Sequence, residues 1–389
     1  MSDMGRNTFR IQVILGGQYF FFFGVMGLFL PFFNLYCYHL GFNGFQIGIL
    51  SAVKTVIGVI FPLLWSVLAD RRHNRKEIYI FCNIVSALLW GLFFMRVDFF
   101  SMVAIMIAYS IFYSPIIAFL ETLTMGVLGQ ERDSYGHIRV WGSVAFILSV
   151  LVLGKLIDSY SVDMIIVLIF IGSLMQALLS PLIPSLSAEE TPRPSVKKGF
   201  FSPRMIVFLV AAFLMLLSHG TYYGFFSIHL EKLGYGGLFI GTAWAVASLA
   251  EIVIMLKSRY IFKRFSFHTL LVCSMAVSAC RWLIVFYAVS PAVILISQVL
   301  HAFTYGVFHI ASILYIDSLS TEASKTFGQA VNNAVTYGLG MMVGFLVNGY
   351  FYDRLGAGLF VFSSGCGVAA LVIFYFFSRN GSEGANSDG

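Results

Sequence analysis

The sequence contains one stretch twice: Leu40-Gly41-Phe42-Asn43-Gly44-Phe45-Gln46-Ile47-Gly48 is echoed 193 residues later by Leu233-Gly234-Tyr235-Gly236-Gly237-Leu238-Phe239-Ile240-Gly241. The correspondence continues on both sides, and the matching positions are Gly27 with Gly220, Phe32-Phe33 with Phe225-Phe226, and Ala52-Val53 with Ala245-Val246. Related sequence in the same order in both halves indicates an internal structural repeat. We therefore predict two similar half-chains, 1–184 and 205–378.

The composition is that of an integral membrane protein. Of the 389 residues, 59% are hydrophobic and 11% are charged, and the mean hydropathy is +0.87. Soluble domains are about 45–50% apolar and about 25% charged. Twelve apolar runs are long enough to cross about 30 Å of hydrocarbon. They span 11–36, 45–68, 77–95, 99–125, 138–158, 163–184, 205–230, 238–256, 268–288, 291–316, 328–351 and 357–377. We predict an all-α fold with twelve transmembrane helices in two pseudo-symmetric six-helix bundles.

Two segments lie outside these bundles. Residues 185–204 are polar and contain three prolines, which predicts a cytoplasmic linker, and the small polar residues 379–389 predict a disordered tail. The five cysteines are scattered through apolar runs without a metal-binding spacing or a disulfide framework. The sequence has no phosphate-binding loop. We therefore expect no metal, no cofactor and no ATP-driven step.

Lysine and arginine are distributed unevenly between the loops. If the N-terminus is cytoplasmic, seventeen lie in cytoplasmic segments and four lie in the opposite loops, namely Arg96, Lys155, Lys232 and Arg354. Because positive residues collect on the cytoplasmic side of membrane proteins, we predict that both termini are cytoplasmic. These loops account for the net charge of +6, and nothing in the sequence points to nucleic acid as a partner.

Several charged residues fall within the apolar runs. Glu121 closes the fourth run, Arg139 opens the fifth, and Lys54, Glu251 and Arg281 lie inside others. A charge within hydrocarbon costs about 2.5–3.5 kcal/mol, so these side chains should face the interior of a bundle. Glu121 and Arg139 form either a structural ion pair or a substrate-binding pair in a water-filled cavity, and we favour the second interpretation. Lys54 has either a structural role or one near the cavity.

Histidines and tyrosines add polar groups to the second half. His301 and His309 are two helical turns apart with Tyr305 between them, which predicts a slanted polar stripe. Imidazole changes charge near neutral pH, so a histidine here suits proton coupling. Tyr222 and Tyr223 either line the cavity or pack between helices.

The loop after the second run resembles the loop signature of the major facilitator superfamily. It reads Ser66-Val67-Leu68-Ala69-Asp70-Arg71-Arg72-His73-Asn74-Arg75-Lys76, which keeps the Asp-Arg pair and the basic end but lacks the glycines of that signature. The resemblance implies that Asp70 and Arg71 form a conformational latch by capping or pairing with a neighbouring helix end.

Five further motifs resemble the phenylpropionate permease family, a branch related to lactose permease and to nucleoside permeases. They are Ser134-Tyr135-Gly136-His137-Ile138-Arg139-Val140-Trp141-Gly142-Ser143-Val144-Ala145-Phe146, Tyr222-Tyr223-Gly224-Phe225, Ala250-Glu251-Ile252, Arg281-Trp282, and Leu300-His301-Ala302-Phe303-Thr304 with His309. The motifs occur in order across both halves, so the resemblance covers nearly the whole chain.

Lactose permease offers a second resemblance. The spacing of its sugar-binding acid and arginine matches Glu121 and Arg139, and the spacing of its proton-coupling arginine and histidine matches Arg281 and His301. The acid that follows that histidine by one turn is replaced here by Thr304, and the sequence has no counterpart of the acids in the seventh helix or of the lysine in the eleventh. The resemblance therefore implies neither the same proton site nor a disaccharide cargo.

These features predict a transporter driven by the proton gradient in a bacterial plasma (inner) membrane, and no nucleophile–base set or metal cluster suggests an enzyme. The favoured cargo is an aromatic carboxylate such as a phenylpropionate-like acid, carried in symport with protons by a chain that functions as a monomer. The predicted substrate-binding residues are Glu121, Arg139, Tyr222, Tyr223 and His309, and the predicted proton-coupling residues are Glu251, Arg281 and His301. Three alternatives remain: a proton-coupled sugar or nucleoside symporter, a proton-antiport exporter of amphipathic compounds, and a membrane sensor that does not transport.

Overall fold

The computed structural model describes residues 3–72, 74–95, 98–129, 134–184, 201–321 and 324–378, with side chains from residue 9 onward. Every regular element in these ranges is a helix. The α-helices are α1 (Asp3–His39), α2 (Gly44–Arg72), α3 (Arg75–Trp90), α4 (Phe99–Tyr113), α5 (Ile116–Leu128), α6 (Tyr135–Ser159), α7 (Met164–Leu179), α8 (Pro203–Lys232), α9 (Gly237–Arg264), α10 (Phe267–Tyr287), α11 (Pro291–Val299), α12 (Phe308–Leu319), α13 (Lys325–Asn332), α14 (Met341–Leu355) and α15 (Leu359–Phe377). Most of the predicted linker, 185–200, and the predicted tail, 379–389, lie outside the described residues.

Eleven helical segments of the described chain are long and apolar enough to cross a membrane. Each of the first ten corresponds to one predicted run, and no run extends more than two residues beyond its segment. The eleventh, Lys325–Phe377, has 53 residues and contains the last two predicted runs, with a short 3-10 turn at Gly356–Gly358 between α14 and α15. The prediction of an all-helical, multi-pass membrane protein is confirmed, while the count of twelve helices stays a prediction.

Two helices extend more than two turns beyond the predicted runs. α1 begins at Asp3 although the first run was predicted to begin at residue 11, and α9 continues to Arg264 although the eighth run was predicted to end at residue 256. Lys257, Arg259, Lys263 and Arg264 therefore lie on the last turns of a helix rather than in a loop. Cations are favourable there because the carbonyl end of a helix carries partial negative charge.

Three spans are interrupted within their length. The span Phe99–Leu128 bends at Ser114–Pro115 between α4 and α5, because proline has no N–H for the helical hydrogen bond. The segments Ala302–Val307 and Asn333–Gly340 are wider π-helical turns. Such turns are uncommon inside α-helices and often occur at functional sites.

The chain divides into two compact units. Unit 1 comprises Met1–Phe42, Val56–Thr191 and Leu230–Ala245. Its core packs apolar side chains such as Leu15, Tyr79 and Leu120. Unit 2 comprises Asn43–Thr55, Pro192–His229 and Val246–Gly389. Its core packs Phe208, Met275 and Phe374 among others.

The repeated stretch has the same local geometry in both copies. Gly41 and Gly234 have positive φ angles of 84° and 88°, a backbone conformation that favours glycine over other residues. Three residues later, Gly44 and Gly237 begin α2 and α9.

A carboxylate caps each of these two helix starts. Asp353 accepts from the Gly44 N–H within unit 2, at 3.1 and 3.2 Å to its two oxygens. Asp158 accepts from the N–H groups of Gly237 and Leu238 within unit 1, at 2.6 and 2.9 Å. Negative charge at a helix N-terminus stabilises the helix, so the repeat specifies two equivalent helix starts.

Candidate functional site

A buried polar network in unit 2 surrounds the Arg281 guanidinium. Arg281 lies on α10 and is fully buried. Its Nε donates to the Ser297 carbonyl at 2.9 Å, and its Nη2 donates to Gln298 Oε1 at 3.1 Å. Its Nη1 lies 2.9 Å from Nδ1 of His301 and 3.2 Å from Oγ1 of Thr304. These partners come from one stretch of chain, which runs from α11 into the following π-helical turn and holds the guanidinium in place.

Glu251 on α9 extends the network. Its Oε1 lies 2.8 Å from Nε2 of His301, and the two side chains are 20% and 3% exposed, respectively. Tyr223 on α8 places its hydroxyl 3.4 Å from the same histidine nitrogen. The structure thus brings together the three residues predicted to couple protons, Glu251, Arg281 and His301, in one chain of polar contacts.

The second predicted histidine belongs to a column of stacked rings. Tyr305 lies between the two histidines, with ring centroids 5.4 Å from His301 and 6.1 Å from His309 and interplanar angles of 24° and 6°. His309 Nδ1 is 2.6 Å from the hydroxyl of Tyr337. The stripe predicted from the spacing is therefore a continuous stack that ends at a tyrosine hydroxyl.

The π-helical turn after His301 shapes the neighbourhood of Glu251. A wider turn changes the direction of the side chains that follow it relative to an α-helix of the same sequence. Gly306, inside this turn, faces Glu251, because a Cβ atom added to the glycine would lie 3.7 Å from Cγ of the glutamate. The Glu251 side chain therefore passes close to Gly306, and its carboxylate contacts the His301 imidazole.

Arg139 on α6 lies among aromatic rings in unit 1. Its guanidinium carbon is 3.7 Å from the centroid of Phe23 and 5.6 Å from that of Tyr19. A Cβ atom added to Gly142 would approach Phe23 to 2.6 Å and the Arg139 Nη1 to 2.9 Å, so this glycine leaves space for the stack. A guanidinium with a covered face still presents N–H groups at its edge, where a carboxylate can accept two hydrogen bonds.

Glu121 and Arg139 both lie in unit 1. In the described structure they form no direct ion pair, because no nitrogen of the Arg139 guanidinium lies within 4.0 Å of a Glu121 carboxylate oxygen. Glu121 lies near the middle of α5 rather than at a span end, and its side chain is exposed. Since hydrocarbon is a poor environment for a carboxylate, the exposed face of Glu121 is a candidate for contact with water.

The remaining predicted residues have the following neighbours. Tyr222 is buried, donates to Gln298 Oε1 at 2.9 Å and covers the Arg281 guanidinium at 4.4 Å, so it supports the network from α8. Asp70, in the last turn of α2, pairs at 2.8 Å with Arg75 at the start of α3, and Arg71 is exposed at the end of α2. In this structure the Asp70 carboxylate is thus bound by a residue five positions along the chain.

His219 is a buried residue next to this network that sequence reasoning missed. Its Nδ1 lies 2.8 Å from the Met215 carbonyl, while its Nε2 is buried without a hydrogen-bond partner in the described structure. Its ring is 4.9 Å from that of Trp282 and 6.2 Å from that of His301. The signal that points to it is the presence of a histidine within an apolar run, where an ionisable residue is expensive.

A separate cavity of about 700 Å³ lies in unit 1 at the ends of its helices. Its lining includes His39 and Glu231, which are 2.7 Å apart, together with Asp158 and Asp163. None of the predicted site residues lines it. Within the described ranges, no group of three or more His, Cys, Asp and Glu side chains is arranged to hold a metal ion.

Comparison with known proteins identifies the family. The model of the MFS_1 like family matches residues 12–363. The chain belongs to this family. The resemblance to the major facilitator superfamily is thereby confirmed, and the match covers both halves of the sequence repeat.

Individual relatives of this family are transporters. The chain is 28% identical to a probable 3-phenylpropionic acid transporter of Escherichia coli (strain K12), over 88% of this chain and 91% of that protein. It is 25% identical to the maltose permease of Geobacillus stearothermophilus, over 93% of both chains. A crystal structure of the nucleoside transporter NupG (D323A mutant) has a TM-score of 0.85 and 17% identity, over 94% of this chain and 99% of that one, which is a likeness of fold. The chain is thus a multi-pass membrane transporter for a small molecule and not an enzyme.

Proposed function

We propose that this transporter carries a small aromatic carboxylate, such as a phenylpropionate-like acid, in symport with protons by alternating access. The name of the Escherichia coli relative supports the class of cargo. The buried network around Arg281 supports the coupling to protons. The proposal includes the predicted architecture of twelve helices in two six-helix bundles joined by a cytoplasmic linker, with both termini in the cytoplasm of a bacterial cell and the protein acting as a monomer in the inner membrane.

The observation that carries the proposal is that an acid and an arginine are linked through one buried histidine. With Glu251 ionised and His301 neutral, the network has no net charge. A proton on Glu251 leaves the Arg281 cation uncompensated, and an uncompensated charge in a low-dielectric interior costs several kcal/mol. The positive charge gained with the proton attracts an anionic cargo, so proton binding and anion binding favour each other by thermodynamic linkage.

Arg139 is the residue we propose for direct contact with the cargo. Arg281 is fully buried, and four of its five N–H groups donate to its own surroundings. A carboxylate could therefore accept two hydrogen bonds from this guanidinium only by breaking one that it already makes. Arg139 is half-buried and stacked on Phe23, and the nearby rings suit an aromatic cargo. Glu121 lies on the neighbouring helix as an acceptor or as a group that orients Arg139.

The proposal extends to the remaining predicted residues. Tyr223 and His309 offer polar atoms beside the ring column, and Tyr222 supports Arg281. Asp70 and Arg71 act as a conformational latch, for which the pair between Asp70 and Arg75 would have to open in one of the two access states. No cofactor takes part, because the proton gradient supplies the energy.

Charge movement tests the proposed stoichiometry. Moving one net charge across the membrane is worth about 2.3 kcal/mol per 100 mV. A monoanion that enters with one proton carries no net charge, so an inside-negative potential should leave its rate of uptake nearly unchanged. Purified protein in liposomes with a fixed pH gradient, with the potential imposed by valinomycin, provides the measurement. Acceleration of aromatic acid uptake by several-fold under voltage would contradict electroneutral symport.

A sugar or nucleoside symporter is the second candidate. The relationship to a maltose permease and the fold shared with a nucleoside transporter favour it. A neutral solute entering with one proton carries one positive charge and responds to voltage. Saturable uptake of a sugar or nucleoside without uptake of aromatic acids in the same liposomes would replace the first proposal, and release of amphipathic compounds against the proton gradient would indicate an exporter.

A further inference from the structure

We infer that Glu251 is the group that takes up and releases the coupling proton, and that His301 stays neutral as a positioning residue with its hydrogen on Nε2. This inference rests on the proposed proton coupling and assigns the coupling proton to the carboxylate of Glu251. The geometry of three contacts carries it: Arg281 with His301, His301 with Glu251, and Arg281 with its other partners.

Nδ1 of His301 faces the Arg281 guanidinium. A guanidinium has five N–H donors and no acceptor. Because the Arg281 Nη1 is 2.9 Å from this nitrogen, Nδ1 must accept the hydrogen bond and cannot carry a hydrogen. The nearby hydroxyl of Thr304, at 3.4 Å from Nδ1, can also only donate to it. A neutral imidazole with an unprotonated Nδ1 carries its hydrogen on Nε2.

Nε2 of His301 faces the Glu251 carboxylate. This nitrogen is 2.8 Å from Oε1 of Glu251, so its hydrogen is donated to the carboxylate. A second proton on the imidazole would have to sit on Nδ1, where it would face an N–H of the arginine at hydrogen-bond distance and add a like charge. His301 can therefore become charged only if Arg281 moves away.

Arg281 is held in place by several contacts besides the one with His301. Its contacts with Ser297, Gln298 and Thr304 hold the guanidinium on three further sides. The Tyr222 ring covers it at 4.4 Å, and the Trp282 ring is 4.6 Å away. A fully buried cation that is held in this way keeps His301 in one tautomer.

Of the three residues linked by these contacts, Glu251 is the one that can accept a proton without losing a hydrogen bond. A proton added to Oε2 gives a neutral carboxylic acid, while Oε1 still accepts from His301. At 20% exposure its side chain is more accessible than the 3% of His301, so water can deliver and remove the proton. Within the described part of the chain, the charged and titratable groups that interact with Glu251 come from four elements packed around it and include no second carboxylate. They are Tyr222 and Tyr223 on α8, Arg281 on α10, the column of His301, Tyr305 and His309, and Tyr337.

Infrared difference spectroscopy of the purified, substrate-free protein during acidification tests this assignment directly. We expect the carbonyl-stretch band of a protonated carboxyl group in the wild type, loss of one component of this band in Glu251→Gln, and its retention in His301→Gln. A glutamine at 301 cannot titrate but can accept from Arg281 and donate to Glu251. The matched control is Glu231→Gln, because Glu231 also contacts a histidine, His39, at 2.7 Å, but no described arginine donates a hydrogen bond to that histidine. This control should keep the Glu251 component.

Transport by the same variants provides the second readout. We expect His301→Gln to accumulate substrate under a proton gradient within about threefold of the wild type. Glu251→Gln should lose accumulation more than tenfold but still exchange internal for external substrate. Nitrogen-15 NMR of labelled wild-type protein should show one buried histidine with its hydrogen on Nε2 that does not titrate before the carboxyl band appears.

Retention of the whole band in Glu251→Gln, or protonation of His301 ahead of the carboxyl group, overturns the assignment. The cargo is a separate matter. If the wild type shows the Glu251 band but takes up no aromatic acid, the proton assignment stands and the proposed cargo is wrong. If aromatic acid is accumulated without dependence on Glu251, the cargo stands and the assignment falls.

Discussion

Arg139 and Arg281 are both arginines within apolar spans, but their surroundings differ. Arg281 is fully buried and its hydrogen bonds are made within the protein, whereas Arg139 is half-buried and stacked on the face of Phe23. A stacked guanidinium binds a carboxylate through its edge, and a lysine ammonium reproduces neither the stack nor the two parallel bonds. We therefore expect the two arginines to have different roles despite the same charge.

Replacement of Arg139 by lysine should consequently remove about half or more of the stabilisation by an aromatic acid. A ligand present at 100 times its Kd stabilises the native state by about 2.7 kcal/mol, and a loss of affinity of tenfold or more removes about 1.4 kcal/mol of this. The measurement is the ligand-dependent shift of the melting temperature in detergent. Arg204→Lys, at the start of α8, is the matched control and should keep the full shift. A shift in Arg139→Lys equal to that of the wild type would show that the cargo binds elsewhere.

Residue types were predictable from the sequence, while their contacts were not. Glu251, Arg281 and His301 stand out as ionisable residues within apolar runs, which is expensive unless they are paired. The hydrogen-bond order from acid to histidine to arginine depends on helix rotation and on the π-helical turn after His301, neither of which follows from spacing alone. His219 shows the same limit, because a single histidine in an apolar run carries no indication of its neighbours.

At the scale of helices, glycines set how closely two spans approach. A Cβ atom added to Gly48 on α2 would lie 2.5 Å from the carbonyl oxygen of Phe345 on α14, so the backbones of the two helices are in contact there. Small residues permit such close packing in membrane proteins. Gly58, on the same helix, has no atom within 4 Å of its added Cβ.

The two glycines of α2 should therefore respond in opposite ways to alanine. Gly48→Ala forces α2 and α14 apart and should destabilise the protein by about 1–3 kcal/mol, as overpacking does. Gly58→Ala should be neutral or stabilising by up to about 1 kcal/mol, because alanine is the better helix former. Thermal unfolding of the purified variants measures both. Equal melting temperatures for the two variants would mean that α2 and α14 do not pack as described.

The sequence predicts the spans better than their interruptions. Apolar runs mark membrane-crossing helices because hydrocarbon requires about 20 apolar residues, and ten of the eleven observed segments each correspond to one predicted run. The interruption at Ser114–Pro115 coincides with a proline, but Pro31 and Pro62 lie inside α1 and α2, so a proline in a run does not by itself predict an interruption. The π-helical turns at Ala302–Val307 and Asn333–Gly340 contain no proline that could mark them.

At the scale of the whole molecule, the distribution of basic residues predicts the topology. Reporter fusions at Asn74 and Ser266 should report the cytoplasm, and fusions at Asn43, Tyr160 and Gly236 should report the opposite side, because lysine and arginine favour cytoplasmic loops. Alkaline phosphatase and green fluorescent protein fusions make the measurement. The same reading at Asn43 and Asn74 would remove one span from the assignment and shift every later loop to the other side.

The sequence repeat is visible at this scale as recurring local geometry. Gly41 and Gly234 were matched by sequence, and the structure gives them nearly equal φ angles. The carboxylate caps on Gly44 and Gly237 could not be predicted in the same way, because Asp158 and Asp353 are not at the repeat offset of 193 residues. A repeat in sequence therefore specifies the turns and helix starts, while their partners are settled by tertiary packing.

The surroundings of Trp282 give the protein an internal optical probe. This indole is fully buried, packs against the ring of His219 and lies 4.6 Å from the Arg281 guanidinium. Indole emission responds to the electric field of nearby charges, and the field here changes when the network gains or loses a proton. The chain has five tryptophans, so a variant that keeps only Trp282 would convert each protonation event into a change of fluorescence colour without any attached dye.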